Sequence, residues 1–350
     1  MKKNLLSIIA MVFALVACAQ QQPRAEYPRP QFERQEWVNL NGQWSYTFDF
    51  VGSGLERKLY ESKGFDGKIT VPFCPESKLS GVQYKDFINH IWYQRSITMP
   101  QAWAGRNVKL NFGAVYYNSE VYIDGKLAGR HFGGSTSFAI DVTKFIADGK
   151  PHSLVVHAYS DTRTAKQPAG KQNMRYEPFE CMYTRTTGIW QTVWMEPVDK
   201  NALERTQVTT DIDQKFIMVQ PKFYAQTKGS FTVTVKDGDK VVATQTVPAH
   251  DGTSVVLPIK KPKLWSPSSP FLYDVVYEVK DSQGKITDVV NSYVGMRKIH
   301  VEGNKVYLNN EPFYQRLVLD QGFYPDGIWT APSDAALKRD IELSMAAGFN

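Results

Sequence analysis

From Pro30 onward the apolar residues come in short alternating runs, the period-two pattern of strands with one buried face. VKLNF, Val108 to Phe112, alternates apolar and polar. In EVYIDGKLAG, Glu120 to Gly129, Asp124-Gly125 sits between apolar flanks, which is the two-residue signal of a tight hairpin. SLVVHAY, Ser153 to Tyr159, is a further run rich in β-formers. Gly and Pro punctuate the chain roughly every ten residues, and no helical period emerges over about 160 residues. This texture predicts a mainly β fold, with a jelly-roll sandwich over residues 30–198 that closes just after Glu196-Pro197.

The pattern repeats at smaller scale over residues 199–300. FTVTVKDGDKVVATQTV, Phe231 to Val247, reads as a hairpin on Asp237-Gly238. Leu272 to Val290 reads as another, turning at Ser282 to Lys285. About 100 residues with roughly seven short strands fit an immunoglobulin-like sandwich without the Cys pair of antibody domains. From Val301 the texture changes. KVYLNNEPFYQRLVL is a hairpin around Asn309-Asn310 followed by an apolar run, expected to form a strand near Leu317 to Leu319. A helix follows, with Ser333 as N-cap and Asp334 in a first turn where negative charge favours the helix dipole. Leu337, Ile341 and Met345 recur at i, i+4 and i+8 as one apolar stripe, and Gly348 ends the helix as a left-handed cap. Strand, loop and helix make one β/α unit across residues 301–350.

The first residues read differently. Lys2 and Lys3 precede an apolar run, Leu5 to Val16, shorter than the ~20 residues that span a bilayer but fitting an export signal. The run ends in Leu15-Val16-Ala17-Cys18, which resembles the bacterial lipobox. On that resemblance residues 1–18 are a lipoprotein signal, and Cys18 becomes the new N-terminus and carries the lipid. An ordinary signal peptide with a chance Cys is the alternative. Residues 19–29 then form a linker. The expected location is the periplasm, with the membrane reached only through the lipid anchor. Ala and Gln after Cys18, in place of an acidic run, favour the periplasmic side.

Composition narrows the chemistry. The net charge of +6 comes from 41 basic and 35 acidic residues scattered along the chain, with no basic cluster to serve nucleic acid. Six histidines show no ligand spacing, so neither a metal nor another cofactor is expected. Cys74 and Cys181 lie in loop-like stretches of one expected domain. A bridge between them and two separate thiols both remain open. With 8 Trp and 18 Tyr the chain is rich in flat faces that suit sandwich cores and also sugar rings.

The order of the parts carries a resemblance. LNGQWSYTF (Leu40 to Phe48), VPFCPESKLSG (Val71 to Gly81), IWYQRSI (Ile91 to Ile97) and TTGIWQTVWMEPV (Thr186 to Val198) resemble the first domain of glycoside hydrolase family 2. LWSPSSPFLYDV (Leu264 to Val275) resembles its middle sandwich. VGMRKI (Val294 to Ile299), YQRLVLDQGFYPDG (Tyr314 to Gly327) and the closing AAGFN resemble the opening of its (β/α)8 barrel. Together they cover nearly everything after the leader. The family includes β-galactosidases, β-glucuronidases and β-mannosidases. The resemblance implies retaining hydrolysis of a β-glycoside by two carboxyl groups about 5–5.5 Å apart. In the family both are glutamates on later barrel strands, which would place them beyond Asn350. A chain cut within the barrel is therefore expected to be inactive alone and loosely held beyond about Asp320, since a barrel closes only with eight strands. Homo-oligomerisation of a full-length enzyme stays open.

The resemblance also implies residues that meet a carbohydrate substrate. Asp320 and Gln321 follow the apolar run, where the C-terminal end of a barrel strand would present them. Tyr324 and Trp329 in the same loop offer rings for stacking. Glu76 and Ser77 occupy a first-domain loop that approaches the active site in the family. Where several members carry an Asp six residues before the Gly of GI, this chain has Met182, with Glu180 close by. That departure counts against a plain galactosidase or glucuronidase specificity. A sugar site on the jelly roll itself would draw on Trp92, Tyr93, Tyr116 and Tyr117, although the first two sit in a strand-like run where aromatics are usually core. A non-catalytic carbohydrate-binding lipoprotein is thus the alternative reading, and a purely structural sandwich pair is a third.

Overall fold

The computed structural model describes residues 22–164, 166–226 and 228–350, so Cys18 and the leader lie outside the described residues. The first sandwich is built from β1 (Val38–Asn39), β2 (Gly42–Phe48), β3 (Gly67–Val71), β4 (His90–Ile97), β5 (Asn107–Phe112), β6 (Val115–Tyr116), β7 (Asn118–Ile123), β8 (Lys126–Phe132), β9 (Phe138–Asp141), β10 (His152–Tyr159), β11 (Gly188–Ile189) and β12 (Val193–Val198). A six-stranded sheet in the order β3-β2-β4-β10-β7-β8 faces a four-stranded sheet in the order β1-β12-β5-β9. Alternation decides which side chains are core: Ile91 and Tyr93 on β4, and Leu154, Val156 and Ala158 on β10, all point between the sheets. Trp44 from β2 joins them, fully buried, and its indole N–H donates to the Leu40 carbonyl at 2.7 Å. The β7–β8 turn is the expected one. Ile123 pairs with Lys126, and Asp124 and Gly125 take φ of 48° and 75°, the left-handed pair that such a turn needs.

The second sandwich pairs a three-stranded sheet with a four-stranded one. The first contains β13 (Leu203–Asp211), β14 (Phe216–Phe223) and β17 (Val255–Pro258). The second contains β15 (Ser230–Asp237), β16 (Lys240–Pro248), β18 (Tyr273–Lys280) and β19 (Ile286–Val294). Seven strands match the expected immunoglobulin-like size. The first hairpin turns one residue later than its sequence signal, on Gly238-Asp239, because Asp237 itself pairs with Lys240. Phe231, Tyr273 and Tyr277 are buried between the two sheets, each contributing roughly 1.5–3 kcal/mol by leaving water.

Residues 22–34 are packed as a strap, where the sequence reading ends a linker at residue 29. Tyr27 donates its hydroxyl to Glu196 at 2.8 Å, and Arg29 meets the other oxygen of that carboxylate at 2.8 Å. Burial, reinforced by Glu196, pushes the Tyr27 hydroxyl up to about 12. Arg34 grips Asp288 on β19 through two hydrogen bonds of 2.9 and 2.8 Å, and also donates to the Leu203 carbonyl at 2.6 Å. The strap thereby ties one sandwich to the other. Further back, Arg24 reaches Asp334 at 2.9 Å.

Beyond the second sandwich, β20 (Ile299–Glu302), β21 (Lys305–Leu308) and β22 (Glu311–Pro312) form a small sheet. The β21–β22 turn falls on Asn309 and Asn310 as expected, with φ of 53° and 68°. The strand expected at Leu317 to Leu319 is not formed. These residues pair with no strand, and their side chains are exposed. A barrel strand exists only by its neighbours' hydrogen bonds, and this stretch has none. The helix does form, over Asp334–Ala346, with the Ser333 hydroxyl accepting from Ala336 N at 3.2 Å and Gly348 left-handed at φ 89°. Its Leu337, Ile341 and Met345 stripe stays exposed. No barrel is closed within these residues. Among the described residues no helix is long and apolar enough to cross a membrane.

Candidate functional site

The loops at one end of the jelly roll converge with the segment that follows the exposed Leu317–Leu319 stretch. The first is the loop after β3. Its Ser77 hydroxyl donates to the Cys74 carbonyl at 2.8 Å and accepts from Ser80 N at 3.2 Å, which fixes a tight turn. Glu76 is buried, and its carboxylate accepts from the Thr187 hydroxyl at 2.5 Å and from the Thr187 amide at 3.2 Å. Thr187 immediately precedes β11. Burial pushes the Glu76 carboxyl up, and the Thr187 hydroxyl draws it part of the way back. Burial, with Glu76 adjacent, also pushes up the Cys74 thiol and the Tyr93 hydroxyl. Cys74 is buried and Cys181 exposed, and the two are unbridged.

The second loop runs from Ser160 to Thr187 and is organised by Arg185, which is 2% exposed. Its guanidinium donates to the Asn173 side chain at 2.8 Å and to the carbonyls of Arg175 and Lys85. It also lies 4.1 Å over the Phe87 ring. At the tip of this loop Phe179 and Met182 exchange backbone hydrogen bonds of 3.2 and 2.8 Å around Glu180 and Cys181. Glu180 is exposed there at φ 50°.

Phe323 to Ala331 docks on these loops. Phe323 stacks on Tyr183 at 3.7 Å. Trp329 sets its edge against Trp190 and Tyr116 at 5.1 and 5.8 Å. The Thr330 hydroxyl donates to the Trp190 carbonyl at 2.5 Å, and Leu79 N donates to the Asp326 carbonyl at 3.1 Å. Ile328, a β-branched residue at φ 60°, is held there by paired backbone bonds with Tyr324. Gly327 makes the approach feasible: a Cβ on it would lie 1.9 Å from the Thr330 carbonyl oxygen. Gly327→Ala is expected to undock the segment at a cost of about 1–3 kcal/mol. Hydrogen exchange should then rise over residues 323–331 while protection of β4 and β10 holds.

Tyr324 donates its hydroxyl to Asp340 on the helix at 2.7 Å, and burial together with Asp340 pushes it up to about 12. Asp320 is exposed and accepts from Gly322 N at 2.8 Å. Gln321 is half-buried, and its side-chain oxygen has no hydrogen-bond partner. The structure therefore joins the Glu76 loop to the Trp329 segment. No hydrogen bond among the described residues links Glu76 or Ser77 to Asp320 or Gln321. Tyr93, Tyr116 and Tyr117 are buried, as is Trp92, so none of the four offers an open face to a sugar. Thr187, Arg185, Trp190 and Thr330 escaped the sequence reading as site-building residues. Thr187 and Trp190 lie inside a quoted motif, yet nothing local marks their partners 111 and 140 positions away. Among the described residues no group of three or more His, Cys, Asp or Glu side chains is placed to hold a metal ion.

Comparison with known proteins bears on this architecture. Residues 77–194 match the model of the family 2 glycosyl hydrolase sugar binding domain, and residues 192–297 match the adjoining glycosyl hydrolase family 2 model. The two matches together span more than half of the chain. It belongs to glycosyl hydrolase family 2. A β-glucuronidase of Paenibacillus borealis is 24% identical, over 82% of this family 2 chain and 50% of its own length. The β-glucuronidase of Felis catus is 26% identical, over 82% and 48%. The chain thus spans about half the length of the curated relatives it matches. Among solved structures, a β-glucuronidase from Ruminococcus gnavus in complex with D-glucuronic acid superposes with a TM-score of 0.77 at 19% identity, covering 94% of this chain and 57% of that one. A Lactobacillus rhamnosus β-glucuronidase gives 0.77 at 21%, covering 94% and 55%. At these identities the structural likeness establishes the fold of this family 2 chain and no more.

Proposed function

We propose that the whole protein is a retaining family 2 β-glycosidase acting on β-linked glucuronides, with residues 22–350 supplying the non-catalytic walls of the site. The observation that carries this reading is that relatives aligned over 82% of the chain are β-glucuronidases. In such chemistry one carboxylate attacks the anomeric carbon while the other protonates the leaving oxygen, and water, deprotonated by that second carboxylate, then displaces the first to release the sugar. Both carboxylates are proposed to lie beyond Asn350. Within this chain, the Glu76–Thr187 pin and the docked Phe323–Ala331 segment hold the rim in place. Asp320 and Gln321 stand at its edge as hydrogen-bonding partners for sugar hydroxyls. The 350-residue chain is expected to leave aryl β-glucuronide, β-galactoside and β-mannoside uncleaved, while the full product of its gene prefers the glucuronide. Turnover by the short chain would refute the placement of the carboxylates, and a galactoside or mannoside preference would refute the sugar. The other two substrates belong in the assay because Met182 departs from the family pattern.

We also propose that the protein is exported and lipid-anchored through Cys18. Cys18→Ser is expected to shift it from the membrane pellet to the soluble periplasmic fraction, and unchanged partitioning would remove the anchor.

A further inference from the structure

Two strand edges run side by side along the second sandwich. β13 is an outer strand of the three-stranded sheet, and β19 is an outer strand of the four-stranded one. Near one end Leu203 N donates to Asp288 Oδ2 at 2.9 Å, and just past the other the Thr210 hydroxyl donates to the Arg297 carbonyl at 3.5 Å. The strap closes the first end of the gap between them. The rest is an open groove of about 810 Å³, within the range of ligand sites. From Arg205 to Thr210 it runs about 16 Å, roughly the length of five extended residues.

The strap already uses this edge. Glu33 and Asn291 exchange backbone hydrogen bonds of 2.8 Å each, so the strap adds one antiparallel rung to β19. Alternation turns the N–H and C=O of Tyr293, two residues on, to the same side and away from β18. The strap leaves the edge before that point, through a turn in which Phe32 N donates to the Arg29 carbonyl at 2.8 Å. Among the described residues no hydrogen bond reaches either Tyr293 group. Tyr293 lines the groove, so the edge offers a vacant rung there.

The charges along the groove are unequal. Arg29 is matched by Glu196 at 2.8 Å and Glu204 by Lys222 at 3.6 Å. Arg205 and Arg297 are both exposed, line the groove, and pair with no carboxylate among the described residues. The Arg297 guanidinium lies 4.5 Å over the Trp265 ring, which steadies its plane. Val208 pairs with the buried Val219 and so faces inward, where it and Leu272 add apolar lining.

We infer that this groove docks an extended acidic peptide of a partner protein, added to β19 as a strand beyond the strap. The peptide backbone takes the Tyr293 rung. Carboxylates four positions apart lie on one face of such a strand, about 13 Å from each other, and the two long arginine arms reach them. Residues between them turn an apolar face inward to Val208 and Leu272. An acidic sugar polymer would supply the charges but has no peptide N–H and C=O for the rung.

The test is peptide binding to the 350-residue chain, read by calorimetry and amide exchange, and its outcome is independent of the hydrolase reading. The probe is acetyl-Glu-Val-Thr-Val-Glu-Val-amide. It is expected to bind below millimolar concentration and to slow exchange of the Tyr293 amide. Arg205→Gln and Arg297→Gln are each expected to weaken binding about tenfold, the scale of one charge-assisted hydrogen bond. Arg205 is exposed, so its variant should melt with the parent. Should Arg297→Gln fail to fold, Arg205→Glu serves as the second variant and is expected to abolish binding. Changing both Glu of the probe to Lys, or methylating the backbone nitrogens of its third and fourth residues, should each cost about tenfold. No binding at millimolar peptide overturns the proposal, as does binding that ignores Arg205→Gln, the lysine exchange or the methylation. Tighter binding of a glucuronic acid tetrasaccharide than of the peptide overturns it as well.

Discussion

Arg34→Ala is expected to lower the unfolding free energy by about 3–5 kcal/mol, the scale for breaking a buried ion pair from one side. Arg34 is 4% exposed, Asp288 6% and Glu196 0%. Removing the guanidinium leaves the Asp288 carboxylate with only the Leu203 amide at 2.9 Å, and takes away the donor to the Leu203 carbonyl. Glu196 keeps Tyr27 and Arg29. The damage therefore concentrates on the second sandwich and on the joint between the two. Denaturant unfolding followed by Trp fluorescence should turn from one transition into two as the sandwiches uncouple. A single transition displaced by less than 1 kcal/mol would show the pair to be dispensable. Arg34→Met paired with Asp288→Leu should recover much of the loss, because apolar pairs of similar volume often replace buried ion pairs well.

Arg185→Ala is expected to be comparably severe but local. Each buried acceptor that loses its donor costs roughly 1–3 kcal/mol, and Arg185 serves carbonyls at both Lys85 and Arg175 as well as the Asn173 side chain. Its stacking on Phe87 disappears too. Limited proteolysis should then cut within residues 160–185 while the sheet strands stay protected. Lysine is expected to be a poor rescue, since one ammonium cannot reproduce a planar fork that reaches several acceptors over an aromatic face. A variant as resistant to protease as the parent would show that the loop is held by other contacts.

Both arginines show where a linear reading stops. Turns were legible because their signal is local. Asp124-Gly125 and Asn309-Asn310 carry in two residues the left-handed backbone that the hairpins need. Strand faces and the Ser333 cap were legible for the same reason. Leu317 to Leu319 looked like a strand because apolar runs report a tendency to be buried, whereas a strand also needs an edge to join. The partners of Glu76, Arg34 and Arg185 lie 111, 254 and 100 positions away, and each of these side chains is an ordinary charged residue in its own neighbourhood.

The strap has a consequence for biosynthesis. Arg34 leaves the ribosome 254 residues ahead of Asp288. At 5–20 residues per second that is a delay of roughly 13–50 s. Glu196 emerges first, so Tyr27 and Arg29 can anchor the strap on a finished first sandwich while Arg34 still lacks its main partner. The growing chain thus carries at the seam a guanidinium with only Glu196 beside it, at 3.6 Å, until the second sandwich is nearly complete, and the seam closes only once Asp288 has emerged.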